Sequence, residues 1–253
     1  ASNPGMDDAK FFRASITAMA LVLVSGFVLQ LSLGRSSFDA PTVVHLHAVT
    51  FMGWVVITVS QVWLATAGNF RLHRALGVLA MFWVLAMIVM GTLVTLNAVQ
   101  TARTPFFFQP QHFLIVNPLN MLAFAGVFAA AIALRHKRDW HARLQMGAFM
   151  MLLGPGFGRI LPMPFMTPFA FEIATLVPLA FVLVGMVRDL KGHGRVHPAW
   201  FVSVGALIAF LVLARLLAFS PVGGSVYELA VQGTPLAGSD GLAFPPPPPG
   251  MTM

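Results

Sequence analysis

The strongest constraint on the fold is a series of apolar segments, each about as long as the 20 residues that cross the hydrocarbon core of a bilayer. Of the 253 residues, 58% are hydrophobic and only 9% are charged, whereas a soluble domain carries about 25% charged residues. No water-soluble fold of this size could bury so much apolar surface. The sequence therefore predicts an all-α polytopic membrane helix bundle. Its seven predicted spans are 14–33, 42–67, 75–98, 113–134, 144–162, 168–187 and 199–219.

The basic residues lie in the short connectors, and their distribution predicts the orientation of the bundle. With seven spans, most of them fall on one face, which is then cytoplasmic. Only Arg35 and Arg103 lie in loops of the opposite face. We therefore expect a cytoplasmic N-terminus, a C-terminus outside, and a first span that is retained as a helix rather than removed as a signal peptide. The residues of the cytoplasmic set are Lys10, Arg13, Arg71, Arg74, Arg135, Lys137, Arg138, Arg143, Arg188, Lys191 and Arg195.

Composition excludes several classes of site. The chain has no cysteine, which excludes disulfides, thiolate metal sites and covalently attached c-type haem. Retinal in a Schiff base is also excluded, because that linkage needs a lysine in the last helix and Lys10, Lys137 and Lys191 all lie in loops or tails. The net charge of +7 does not predict a nucleic-acid partner, since the basic residues sit between spans.

The chain divides into a transmembrane domain, 1–219, and a Gly/Pro-rich extracytoplasmic tail, 220–253. The tail ends in AFPPPPPGMTM, and a run of five prolines favours an extended polyproline II conformation. Two interpretations stay open for this tail. It is either a loosely packed external segment or a strap that docks on a partner subunit.

Four histidines lie at alternating ends of four successive spans. His47 and His112 are predicted near the outer face, and His73 and His141 near the cytoplasmic face. Neutral imidazoles on facing helices can hold a haem between them. The alternative is that these residues are ordinary interfacial anchors, which is the simpler interpretation for the cytoplasmic pair because arginines surround it. If only one metal site exists, we therefore expect it at the outer pair, His47 and His112.

Of the two histidines on the second span, His47 is the better candidate ligand. Helical periodicity places it on a polar stripe that should face protein, whereas His45 shares its face with apolar residues. The polar stripe consists of His47, Thr50, Trp54, Thr58 and Gln61.

The order of these histidines resembles the four-helix, two-haem core of the ascorbate-reducible transmembrane b-type cytochromes. That resemblance covers about 45–150 and implies haem b, with His47 paired to His112 and His73 paired to His141. The family's ligands lie well inside the bilayer, whereas His73 and His141 here lie at its predicted boundary. The stretch GNFRLHRALG is also similar to uncharacterised bacterial multi-pass membrane proteins, which implies the bacterial cytoplasmic membrane.

Three charged residues, Arg159, Glu172 and Arg215, fall inside predicted spans, where charges are rare and often functional. All three are predicted in the outer half, where they would suit an anion such as a carboxylate or a haem propionate. The alternative is a structural ion pair with a snorkelling arginine. The aromatic loop 104–112 should bring His112 close to His47, Arg159 and Glu172 in a single outer site.

Pro155 and the glycines around it predict a break in the fifth span, because proline removes a backbone donor. The glycines of LGPGFG, 153–158, would also let a flat cofactor or another helix approach closely.

Three functions compete at this stage. The first is a membrane electron carrier with b-type haem, which exchanges electrons with a quinone or another membrane protein. The second is a transporter or receptor with an outer cavity for an anionic or lipid-like ligand. The third is an accessory subunit that binds a larger membrane complex through its apolar faces and its proline-rich tail.

Overall fold

The computed structural model describes residues 4–36 and 38–247, with side chains from residue 7 onward, and this part of the chain is helical without strands. The end of the predicted proline rod, 248–253, lies outside the described residues. Ten α-helices and one 3-10 turn, Met163–Met166, form the fold. The helices are α1 Pro4–Ser32, α2 Thr42–Thr66, α3 Phe70–Gln100, α4 Pro110–Ala133, α5 Arg138–Met151, α6 Gly154–Ile160, α7 Ala170–Leu176, α8 Leu179–His193, α9 Pro198–Ala218 and α10 Pro221–Val231.

Six helical stretches in the described residues are long and apolar enough to cross a membrane. Large apolar side chains face outward along them, and on α3 Phe82 is 67% exposed and Leu85 is 59% exposed. Exposed apolar surface of this extent is stable only in lipid. The chain is therefore an integral membrane protein. The six stretches are Asp7–Ser32, Thr42–Thr66, Phe70–Gln100, Pro110–Ala133, Ala170–His193 and Pro198–Ala218.

The fifth predicted span, 144–162, consists of two short helices instead of one long one. Helix α5 ends at Met151 and α6 begins at Gly154, followed directly by Pro155, so the predicted break is confirmed. Eight of the 14 residues of α5 are buried, which makes it the central helix of the bundle. Because neither α5 nor α6 reaches 18 residues, this segment is not among the six long apolar stretches.

Helix ends define two ends of the bundle. We call the basic end the one where α1, α3, α5 and α9 begin. There Arg188, near the end of α8, contacts Asp8 near the start of α1. We call the opposite end the tail end, where the amide nitrogen of Gln30 on α1 donates to the carbonyl oxygen of Arg159 on α6, at 2.7 Å. Helices α5 and α6 together therefore run from the basic end to the tail end.

The Gly/Pro-rich tail folds back over the tail end of the bundle. Helix α10 and the residues after it accept hydrogen bonds from glutamine side chains of α3 and of the loop before α4. The Gln100 amide donates to the carbonyl of Ala230 at 2.9 Å, and the Gln109 amide donates to that of Leu242 at 2.6 Å. Tyr227 and Val231 of α10 are buried in a small apolar cluster with Val99 and Leu114. Up to Leu242, the tail is thus bonded to its own chain.

Candidate functional site

The rings of His73 and His141 meet at the basic end, with centroids 6.3 Å apart and planes at 82°. His73 lies in the first turn of α3, which the side chain of Asn69 caps by accepting the backbone N–H of Leu72 at 3.2 Å. His141 lies in the first turn of α5. The two histidines that the resemblance pairs are therefore neighbours.

Backbone carbonyl groups fix the orientation of both rings. The Nδ1 of His73 lies 3.1 Å from the carbonyl oxygen of Gln61, near the end of α2. The Nδ1 of His141 lies 2.8 Å from the carbonyl oxygen of Ala131, near the end of α4. A carbonyl oxygen only accepts, so each Nδ1 carries the proton and, in the neutral ring, each Nε2 keeps its lone pair. This is the arrangement in which protein histidines bind a metal through Nε2.

The separation of the rings fits two imidazoles on opposite sides of one metal ion. Two metal–nitrogen bonds of about 2.0 Å each, added to the distances from each Nε2 to its ring centre, give a centroid separation of about 6 Å. The separation of the ring centroids is therefore compatible with two axial ligands of one metal ion. The described residues contain no group of three or more His, Cys, Asp or Glu side chains that could hold a metal ion, and a haem iron needs only the two axial ligands from the protein.

His47 and His112 lie in different surroundings. The ring of His47 stacks on Phe51 of its own helix at 4.2 Å, and the charge of Arg159 acts on it. The ring of His112 lies between Phe171 and Phe219, at 5.7 and 5.6 Å. Their aromatic neighbours thus do not overlap.

The three charged residues of the predicted outer site do not lie together: two are near His112 and one is near His47. Arg215 forms an ion pair with Glu172 at 2.6 Å, and both charges act on His112. Arg159 lies instead over the ring of Phe27 at 3.9 Å and donates to the carbonyl oxygen of Pro155 at 2.9 Å. Within the described residues, Arg159 has no carboxylate in salt-bridge range. The predicted single outer site is therefore two places, one around His47 and one around His112.

Sequence reasoning missed a buried ion pair at the basic end. Arg143 donates to both carboxylate oxygens of Asp189, at 2.8 and 2.6 Å, and both side chains are only 2% exposed. Trp200 donates to the same carboxylate at 2.8 Å. From the sequence, Arg143 is one of the cytoplasmic loop charges. The presence of Asp8, Asp139 and Asp189 among the basic residues is the signal that could indicate an ion pair at this end.

His197 adjoins this ion pair and is held as a neutral ring. Burial lowers the pKa of His197, and the positive charge of Arg143 acts in the same direction. Its Nδ1 accepts the backbone N–H of Ala199 at 3.2 Å, which requires the lone pair of an unprotonated nitrogen. The residue thus caps α9 and takes no part in the histidine pair.

Comparison with protein-family models, with curated proteins and with solved structures finds no match. The architecture and the geometry of the histidine pair are therefore the observations from which a function is inferred.

Proposed function

We propose that the chain is a membrane electron carrier that binds one b-type haem, with His73 and His141 as the axial ligands. The observation that carries this proposal is the geometry of the pair. Two rings 6.3 Å apart are each oriented by a backbone carbonyl through Nδ1, which leaves both Nε2 atoms for one metal ion.

The positive charges around the pair support this proposal. Four helices contribute to the site, because the carbonyls of Gln61 and Ala131 come from α2 and α4. Arg135 acts electrostatically on His141, and Arg71 and Arg74 flank His73 in the chain. These guanidinium groups would bind the propionates, since arginine pairs with carboxylates through two parallel hydrogen bonds.

Ligation by two histidines favours electron transfer over oxygen chemistry. A bound haem would supply one-electron chemistry, and ligation by His73 and His141 would favour electron transfer over oxygen binding. The protein's part is to orient both imidazoles and to exclude water with the apolar bundle. Electrons would be exchanged with a quinone or with another membrane protein.

A visible spectrum tests this proposal. Protein purified from haem-replete cells should show a Soret band and about one haem per chain, as expected for a single site. We expect His73→Ala and His141→Ala each to lose that band, and free imidazole to restore part of it. His136→Ala is the matched control, because His136 is an exposed histidine in the turn between α4 and α5.

Two results would contradict the assignment. A wild-type protein without a Soret band would exclude haem and leave the transporter and the accessory subunit as the remaining functions. A band that survives in His73→Ala but disappears in His47→Ala or His112→Ala would move the haem to the tail end.

The same proposal includes a topology of seven crossings with a cytoplasmic N-terminus. It is supported by the course of α5 and α6 from one end of the bundle to the other, and by the basic residues of one end. We expect a reporter enzyme that works only outside the cytoplasm to be active when it is fused after residue 253. Fluorescence of a green fluorescent protein at the same position would show a cytoplasmic C-terminus and contradict this topology.

A further inference from the structure

Five buried polar atoms on α2 and α4 lack a hydrogen-bond partner among the described residues. Four belong to one helix, α2, and the fifth belongs to α4. They are Nδ1 of His47, Nε1 of Trp54, Oγ1 of Thr58, Oε1 of Gln61 and Oδ1 of Asn120.

The four atoms on α2 form one continuous stripe. The residues are spaced by seven, four and three positions, which places them on the same face of a helix. Fourteen residues of helix cover about 21 Å, most of the roughly 30 Å hydrocarbon core. Asn120 lies one turn before Phe124, whose ring contacts Trp54 at 5.3 Å. The Asn120 amide donates to the carbonyl oxygen of Met151 at 3.1 Å, and its own side-chain oxygen is buried without a partner.

Thr58 differs from two other threonines of α2. Thr50, on the same polar stripe, and Thr66, at the end of α2, each donate to the carbonyl four residues earlier, at 2.7 Å. That bond is open to a threonine in a helix, yet the hydroxyl of Thr58 has no partner and is not exposed to solvent. It is thus available to a group inside the bundle.

We propose that this stripe binds a file of water molecules that conducts protons between His47 and the basic end. Leaving five buried polar atoms without partners is costly, and a buried water satisfies two to four such groups at once. At the basic end, the backbone carbonyl of Gln61 accepts a hydrogen bond from Nδ1 of His73. The file therefore ends beside the histidine pair. Each water receives one proton and releases another, so no reactant is consumed.

The chemistry of the stripe favours water over a larger ligand. Its atoms are uncharged and include a pure donor on Trp54, pure acceptors on Gln61 and Asn120, and a hydroxyl that does both. These atoms are spread over about four helical turns. A compact ligand would therefore contact only some of them at once. Arg159 acts on the His47 end, and its positive charge forms a barrier for a passing cation.

Proton flux into liposomes that contain the purified full-length chain tests the proposal. The flux is driven by a potassium diffusion potential and measured with a trapped pH-sensitive dye. We expect the wild-type flux to be well above that of empty liposomes. In Thr58→Val we expect a loss of flux of about tenfold, which corresponds to an increase of about 1.4 kcal/mol in the activation barrier. Arg159→Gln should increase the flux, because it removes the charge near the His47 end.

Thr92→Val is the matched control, because the Thr92 hydroxyl donates to the carbonyl of Ile88 at 2.8 Å on an exposed face of α3. If Thr58→Val does not fold, Gln61→Leu is the second variant and should also reduce the flux. Wild-type flux equal to that of empty liposomes would overturn the proposal, as would equal flux in Thr58→Val and Thr92→Val. No electron donor is needed, so this result is independent of the haem spectrum.

Discussion

Asp189→Asn is expected to cost about 3–5 kcal/mol of stability, the usual result of removing one partner from a buried ion pair. The carboxylate receives hydrogen bonds from Arg143 at 2.6 and 2.8 Å and from Trp200 at 2.8 Å. Asparagine keeps the shape but loses the charge, and its amide nitrogen would point a donor at other donors. Arg143, which is 2% exposed, would then be a buried cation without its principal counterion.

The measurement is the unfolding midpoint of the detergent-solubilised protein, by heat or by titration with a denaturing detergent. Glu172→Gln is the matched control, because it removes the carboxylate from an ion pair in which Arg215 is 47% exposed. This pair is less buried than the Arg143–Asp189 pair, so we expect a smaller loss of stability. Equal shifts of the midpoint in the two variants would show that the buried Arg143–Asp189 pair contributes no more to stability than the Arg215–Glu172 pair.

Gly26→Ala is expected to separate α1 from α6 and to cost about 1–3 kcal/mol, the usual range for overpacking. A Cβ on Gly26 would lie 2.5 Å from the carbonyl oxygen of Gly156, and a Cβ on Gly156 would lie 2.8 Å from the Cα of Leu23. Both obstacles are backbone atoms, so no side chain can rotate away. Small residues allow this kind of close contact between membrane helices.

Gly205→Ala on α9 is the matched control for this substitution. Its new Cβ meets nothing within 4 Å, and alanine is favoured over glycine in a helix interior by about 1 kcal/mol. We expect a lower unfolding midpoint for Gly26→Ala and an unchanged or higher one for Gly205→Ala. A midpoint of Gly26→Ala at the wild-type value would contradict the close contact between α1 and α6.

Local sequence signals predicted the helices well, because hydrophobic length and helix breakers act over short distances. The second span was expected at 42–67 and α2 is Thr42–Thr66. Helix α3 begins five residues before the expected 75, because Asn69 caps it. Pro155 and its neighbouring glycines ended α5 where a break was expected.

The grouping of side chains was harder to predict, because it depends on the rotation and depth of helices that are far apart in the chain. Periodicity places His47 on the inner face of α2, but it does not say which helix that face meets. The expected outer site therefore separated into a His47–Arg159 region and a His112–Glu172–Arg215 region. The Arg143–Asp189 pair joins residues 46 positions apart, and no local pattern indicates such a contact.

The fold of the tail has a consequence for the order of assembly. Gln100 bonds a carbonyl 130 residues further along the chain, and Val99 and Leu114 are buried by Tyr227 and Val231. During synthesis, these groups of α3 and α4 emerge long before α10 exists. The contacts of the tail end with α10 can therefore form only after α10 has been synthesised.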